Sequence, residues 1–214
     1  MDGCLITLEG PEGGGKSTQV ALLRDFLERA GVPCTVVREP GGTAIGDRIR
    51  EILLDPRAAD MTVRTEILLY AASRAQLVEQ VILPALRRGE VVLCDRFVDS
   101  SLAYQGFGAP WDREEIRLVN RVATGGLRPD RTYLLDVPVE ESIRRLQSRG
   151  RGIDRIEQKG KKFHERVRQG FLRLAQAEPD RFLVVDASRP AEEVFHLLRR
   201  DLEKLIPISR EGEA

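Results

Sequence analysis

The sequence predicts an α/β fold: a five-stranded parallel sheet flanked by helices, in one domain spanning residues 1–214. Three observations predict it. Short apolar, β-favouring runs alternate with stretches of helical periodicity, the pattern of successive βαβ units. A G-x-x-x-x-G-K-S stretch, Gly10 to Ser17, lies between the first such run and the first helical stretch. The chain has 214 residues, 42% apolar and 32% charged, enough for one full core, and no repeat, low-complexity stretch or Pro/Gly/Ser linker divides it.

The elements follow in order. Residues 4–9 form the first strand, and residues 16–30 the first helix, stopped by Gly31-Val32-Pro33. Residues 34–38 are the second strand, ending in Glu39-Pro40-Gly41-Gly42-Thr43. Helical pattern resumes over 43–54 and halts at Asp55-Pro56. Residues 62–88 read as a long helix or two in succession, with Pro84 near the end. Gly89-Glu90 turns into a third strand, 91–94, followed by Asp95-Arg96. Residues 97–108 are mixed in pattern. A helix over 112–123 is broken by Gly125-Gly126 and leads to the fourth strand, 132–136. A helix over 140–148 precedes a Gly- and Arg-rich segment, a mobile lid at about 149–158. A basic helix covers 157–177, a fifth strand 182–186 and a last helix 191–205; the tail, 209–214, frays.

Lys+Arg and Asp+Glu both number 34, and a formal net charge of zero argues against broad binding to nucleic acid or a membrane surface. Cys4, Cys34 and Cys94 lie far apart, with no C-x-x-C, and read as small hydrophobes in a reducing compartment. The start has no basic-then-apolar leader and no apolar run reaches spanning length, so a cytoplasmic protein is expected. His164 and His196 sit on charge-rich helices and read as surface residues.

The chemistry starts at Gly10-Pro11-Glu12-Gly13-Gly14-Gly15-Lys16-Ser17. Glycines let backbone N–H groups turn inward around phosphate oxygens, and the following helix adds its unpaired N–H groups and dipole. Lys16 reaches the β- and γ-phosphates, and the Ser17 hydroxyl ligates Mg²⁺. The bland alternative, a Gly-rich turn before a lysine, lacks the strand and helix that flank this stretch. Ligands of open parallel sheets bind beyond the strands' carboxyl ends, so Glu9, Arg38-Glu39, Asp95-Arg96 and Asp136 are expected to converge there. Asp95, after a buried strand, is placed to organise Mg²⁺, and Arg96 to fork onto a phosphate; the alternative is a surface ion pair. The GTPase signals D-x-x-G and N-K-x-D are missing. Tyr70 and Arg74, four apart, share a helix face that could stack a base and bond its edge; alone, the pair reads better as a packing tyrosine with a solvated arginine.

Several segments occur in one order: Gly10 to Thr18, Arg38-Glu39-Pro40-Gly41-Gly42-Thr43, Tyr70 with Arg74 to Glu79, Asp95-Arg96, and Ala103-Tyr104-Gln105-Gly106. Arg128-Pro129-Asp130, Leu135-Asp136-Val137 and Asp154-Arg155-Ile156-Glu157 follow. Together they resemble the bacterial thymidylate kinase family, from the glycine-rich loop to the last strand. The segments starting at Arg38 and Asp154 are the most specific.

The resemblance implies a three-layer P-loop NTPase fold with a lid, transfer of the γ-phosphate of ATP to dTMP with Mg²⁺, and a homodimer. It implies that residues 10–18, that is Gly10, Pro11, Glu12, Gly13, Gly14, Gly15, Lys16, Ser17 and Thr18, bind ATP, with Glu12 also near the acceptor's 3′-hydroxyl. Arg38 and Arg96 match arginines that hold the acceptor phosphate. Tyr70 matches an aromatic, usually Phe, that stacks on thymine, Arg74 the arginine that reads the base edge, and Ser101 a small polar residue nearby. Tyr104, with Gln105, lies where ring bulk disfavours a ribose 2′-hydroxyl. Some relatives carry a catalytic arginine in the P-loop; here that position is Gly13, which sends the charge to the lid, to Arg151, with Arg149 and Arg155 as alternatives. Arg149 could instead lie against the adenine, and the turn 186–190 would supply backbone contacts to that base. Lys16, Arg96, Asp95 and Arg151 are thus the catalytic expectation, and Ser17 with Asp95 the metal one. The other readings are a different nucleoside monophosphate kinase and a non-catalytic ATP-binding module.

Overall fold

β1 (Cys4–Glu9) is buried on both faces, as a central strand of a parallel sheet must be. Its side chains alternate between two cores: Ile6 and Leu8 point to one, Leu5 to another. The computed structural model describes residues 3–148, 150 and 152–206. β2 (Cys34–Arg38), β3 (Val91–Asp95), β4 (Arg131–Asp136) and β5 (Phe182–Asp186) complete one sheet of order β2-β3-β1-β4-β5, every pairing parallel. The expected five strands and parallel sheet are all present.

Each strand returns through helices that cover one of the two faces. α1 (Lys16–Arg29) lays Val20, Leu23 and Leu27 on Ile6 and Leu8. α2 (Ala44–Leu54) is capped by Thr43, whose hydroxyl accepts from the Gly46 N–H at 2.9 Å. α3 (Val63–Leu77) runs through a π-helical turn, Val78–Ile82, into α4 (Leu83–Arg87), with Pro84 in the first turn of α4, where its missing N–H costs least. The long helix read over 62–88 is therefore one rod with a wide turn in it. Residues 97–108, mixed in pattern, are helical as well: α5 (Val98–Ser101) passes directly into a π-helical stretch, Leu102–Gly108.

α6 (Arg113–Thr124) starts at Asp112, whose carboxylate accepts from the N–H groups of Glu114 and Glu115, and stops at Gly125 with φ 61. α7 (Val139–Gln147) and α8 (Lys161–Ala177) follow; α8 begins four residues later than the periodicity predicts, because 154–158 form a turn of their own. α9 (Ala191–Leu205) joins α1, setting Val194, Phe195 and Leu198 into the same core. On the opposite face α8 packs Val167 and Phe171 against Ala103, Tyr104 and Leu134. Each such fully buried Leu, Ile or Phe contributes about 1.5–3 kcal/mol. The layers are helix, sheet, helix. The tail 209–214 lies outside the described residues.

The three cysteines are free; Cys94 is buried and the other two are half-buried. Among the described residues no helix is long and apolar enough to cross a membrane.

Candidate active site

Of the strand ends expected to converge, two do. Arg38-Glu39 after β2 and Asp95-Arg96 after β3 line a single cleft with the P-loop. Glu9 is instead buried beneath it: its carboxylate accepts from the N–H groups of Phe97 and Ser100 and from the Ser100 hydroxyl, and so caps α5. Burial, then the neighbouring Asp99, push the Glu9 carboxyl up to about 7. Asp136 is taken by a two-pronged pair with Arg168, at 2.7 and 2.8 Å, and does not reach the cleft.

The P-loop needs its glycines. Gly10 has φ 135, and a Cβ there would run into the Leu135 carbonyl; Gly13 has φ 70, and a Cβ there would lie 2.9 Å from the Ser142 oxygen. No side chain, arginine included, fits at Gly13 on this backbone. Lys16 Nζ donates to the carbonyls of Gly10 and Pro11, at 3.0 and 2.7 Å. Burial and the Arg96 cation lower this amine to about 8. The Ser17 hydroxyl donates to Asp95 Oδ2 at 2.8 Å. Two hard oxygen donors held together at the mouth of a phosphate loop suit Mg²⁺, which keeps most of its shell for phosphate and water. No cluster of three or more His, Cys, Asp or Glu ligands occurs among the described residues, so a closed protein cage is not the design.

Arg96 and Glu12 form the centre of the cleft. Arg96 has φ 72, unusual for a residue with a side chain, and its N–H is tied to the Leu8 carbonyl at 3.0 Å. Its guanidinium bonds Glu12 at 2.9 Å, the Gly10 carbonyl and the Ser100 hydroxyl, and sits 5.1 Å from the Tyr104 ring centroid. Tyr104 donates to the other Glu12 oxygen at 2.5 Å. Burial opposes charge on Glu12, but Arg96, Lys16 and the Tyr104 hydroxyl outweigh it and hold the carboxyl below its ordinary range. His164 was expected at the surface. It is buried instead, with Nδ1 3.9 Å from Glu12, because α8 packs onto the helix that carries Tyr104.

The far wall carries Tyr70 and Arg74, which do share a face and both line the cleft. Arg74 is not solvated: it is 1% exposed. Its Nε donates to Glu39 at 2.7 Å, Nη1 to Ser101 and Asn120 at 3.0 and 2.6 Å, and Nη2 to the Phe97 carbonyl at 3.1 Å and, as an ion pair, to Glu39 at 2.6 Å. A base edge reaching Arg74 therefore shares donors already in use. Burial raises the Glu39 carboxyl, and Arg74 opposes the rise. Arg38 is exposed, and its Nη2 donates to Asp47 Oδ1 at 3.3 Å.

Arg149 and Arg151 lie outside the described residues. Arg155, the third lid arginine, is buried and turned away from the cleft, with Nη2 on Glu66 at 2.5 Å. One cleft residue, Arg50, and two buried residues that hold cleft side chains from behind, Asn120 on Arg74 and Glu66 on Gln105, escaped the sequence. Arg50 of α2 lines the cleft and donates to the Pro40 carbonyl at 2.9 Å; it follows Asp47 by three positions and precedes Leu54 by four, a helical stripe readable in principle. Asn120 falls four after Ile116 and three before Ala123, on the buried stripe of α6. Glu66 precedes Tyr70 by one helical step of four. On the donor side, the P-loop faces a second hollow lined by Arg144, Arg145 and residues 187–190, part of the turn that the family resemblance sets against the adenine.

Comparison with known proteins agrees with this geometry. A family model described as thymidylate kinase matches residues 8–197. A thymidylate kinase of Deinococcus radiodurans is 55% identical over 192 residues, 90% of this chain and 92% of that protein. Thymidylate kinases of Pelotomaculum thermopropionicum and of an Exiguobacterium species are 53% and 52% identical, covering 92% and 90% of this chain and 91% and 90% of their own lengths. The chain belongs to the thymidylate kinase family.

Proposed function

We propose that this chain transfers the γ-phosphoryl group of ATP to dTMP, giving dTDP and ADP, on the way to dTTP in the cytoplasm. The observation that carries this reading is one cleft shared by a P-loop with its Ser17–Asp95 pair and by an acceptor wall of Arg38, Arg96, Tyr70 and Arg74. A module that only bound ATP would need no such wall.

Phosphoryl transfer asks for positioning and for positive charge where negative charge spreads. The P-loop N–H groups and Lys16 hold the donor phosphates. Residues 10–18 form the ATP side, with Arg144 and Arg145 beyond them. Ser17 and Asp95 hold Mg²⁺, which when bound neutralises phosphate charge. Arg38 and Arg96 grip the acceptor phosphate, which is already a nucleophile, so no strong base is required. Tyr70 stacks on the thymine and Arg74, with Ser101, bonds its edge. Glu12, set by Arg96 and Tyr104, meets the 3′-hydroxyl, and Tyr104 with Gln105 closes the space beside C2′. With Gly13 closed to side chains and Arg155 buried elsewhere, Arg151 supplies the transition-state cation, with Arg149 on the adenine side. A homodimer forms through α2, α3 and α6, where α3 packs on both of the others and Ile45, Ile52, Leu68, Leu118 and Val122 are exposed.

Release of ADP from MgATP is measured with dTMP, dUMP, UMP, CMP, AMP and GMP in turn. The highest kcat/KM is expected with dTMP. No dTMP-dependent ADP release would sink the proposal, and a better rate with another monophosphate would move it to that substrate.

A further inference from the structure

Glu66 is a buried carboxylate to which none of the roles above assigns a function. Its Oε2 accepts from Arg155 Nη2 at 2.5 Å, and its Oε1 from Gln105 Nε2 at 2.7 Å; Arg155 and Gln105 are buried too. Arg155 is also fastened to the end of α2, its Nε donating to the Leu53 carbonyl at 2.8 Å and its backbone N–H to that of Leu54 at 3.3 Å. The residues around Arg155 face the other way: Asp154, Ile156 and Glu157 line the acceptor cleft, as does Gln105. Asp154 and Glu157 close that turn on itself, Asp154 Oδ1 accepting from the Glu157 N–H at 2.9 Å and Glu157 Oε2 from the Asp154 N–H at 3.1 Å.

We infer that Glu66 and Arg155 are a positioning pair for the acceptor: one carboxylate fixes the 154–157 turn against Gln105, so that two walls of the acceptor cleft keep a single spacing. The inference rests on the dTMP assignment above. Stability does not explain the pair, because replacing a buried ion pair by apolar side chains of similar volume is often neutral or stabilising. The pair also gives the turn its direction: with Arg155 drawn down onto α2 and α3, its neighbours Asp154 and Ile156 are left facing the cleft.

The test is the double variant E66M/R155M beside the unsubstituted chain. Its Tm is expected to hold or rise and its ATP Kd by calorimetry to stay level, while kcat/KM for dTMP falls by about tenfold or more. The single variant E66Q, which keeps volume and a polar atom for Gln105, is the second probe and loses at least about fivefold with ATP Kd unchanged. Retained kcat/KM in either variant, within about twofold, overturns the inference. An unsubstituted chain inactive on dTMP would instead overturn the substrate assignment, and the inference with it.

Discussion

At the scale of single residues, Lys16 carries the sharpest consequence. Its amine is held at about 8 by burial and by Arg96. Above that pH the free protein's lysine is neutral, while a bound triphosphate favours the charged form, so binding must take up a proton. ATP Kd, followed by calorimetry, should weaken about tenfold between pH 7 and pH 9, and K16R, always charged, should flatten the profile. A level profile in the unsubstituted chain would show that Lys16 is already charged in the free protein, and a K16A variant with unchanged ATP Kd would remove it from the donor phosphates. Lys16, Ser17 and Asp95 were legible because their chemistry is local: a loop, a helix start and a strand end. Arg74 was legible in position but not in surroundings. Its acceptors Glu39, Phe97, Ser101 and Asn120 come from three separate parts of the chain, and no local pattern announces them. His164 failed for the same reason, since only the packing of α8 brings it to Glu12.

At the scale of elements, strands and caps were read closely, because Gly, Pro and capping residues act on their immediate neighbours. The π-helical stretches were not: Val78–Ile82 is too short to disturb the long helical pattern around it, and in the longer Leu102–Gly108 the wide turn shifts the period, so that segment read as mixed. α6 shows how one helix can serve two ends. Its buried stripe delivers Asn120 to Arg74, with the Asn120 amide also donating to the Val98 carbonyl at 3.4 Å, and its outer stripe presents Leu118 and Val122. Asn120→Leu keeps the volume but leaves an Arg74 N–H unpaired, at a cost of about 1–3 kcal/mol. Steady-state kinetics should show a higher dTMP KM, with the ATP KM unchanged. Equal rises in both would point to general unfolding of the site instead.

At the scale of the molecule, the exposed apolar side chains of α2, α3 and α6 ask for cover. Val122 is 85% exposed, and Ile45, Ile52, Leu68 and Leu118 on the same three helices are exposed too. A two-fold interface there pairs the patch with itself. Val122→Glu places like charges face to face across that axis. Sedimentation velocity should find a dimer for the unsubstituted chain and a monomer for this variant; a dimer for both would place the interface elsewhere.

The sheet order has a last consequence. β1 stands in the middle, with β3 and β2 on one side and β4 and β5 on the other. The proposed acceptor contacts come mainly from the β2 and β3 side, and the proposed adenine contacts from the β4 and β5 side, with the P-loop on the boundary. Strand order thus works as a sorting rule, one substrate to each flank. A chimaera that exchanged residues 38–105 together with the 154–157 turn and Asn120 would import a new acceptor preference while inheriting the old nucleotide donor, with Glu12 of the P-loop shared by both flanks.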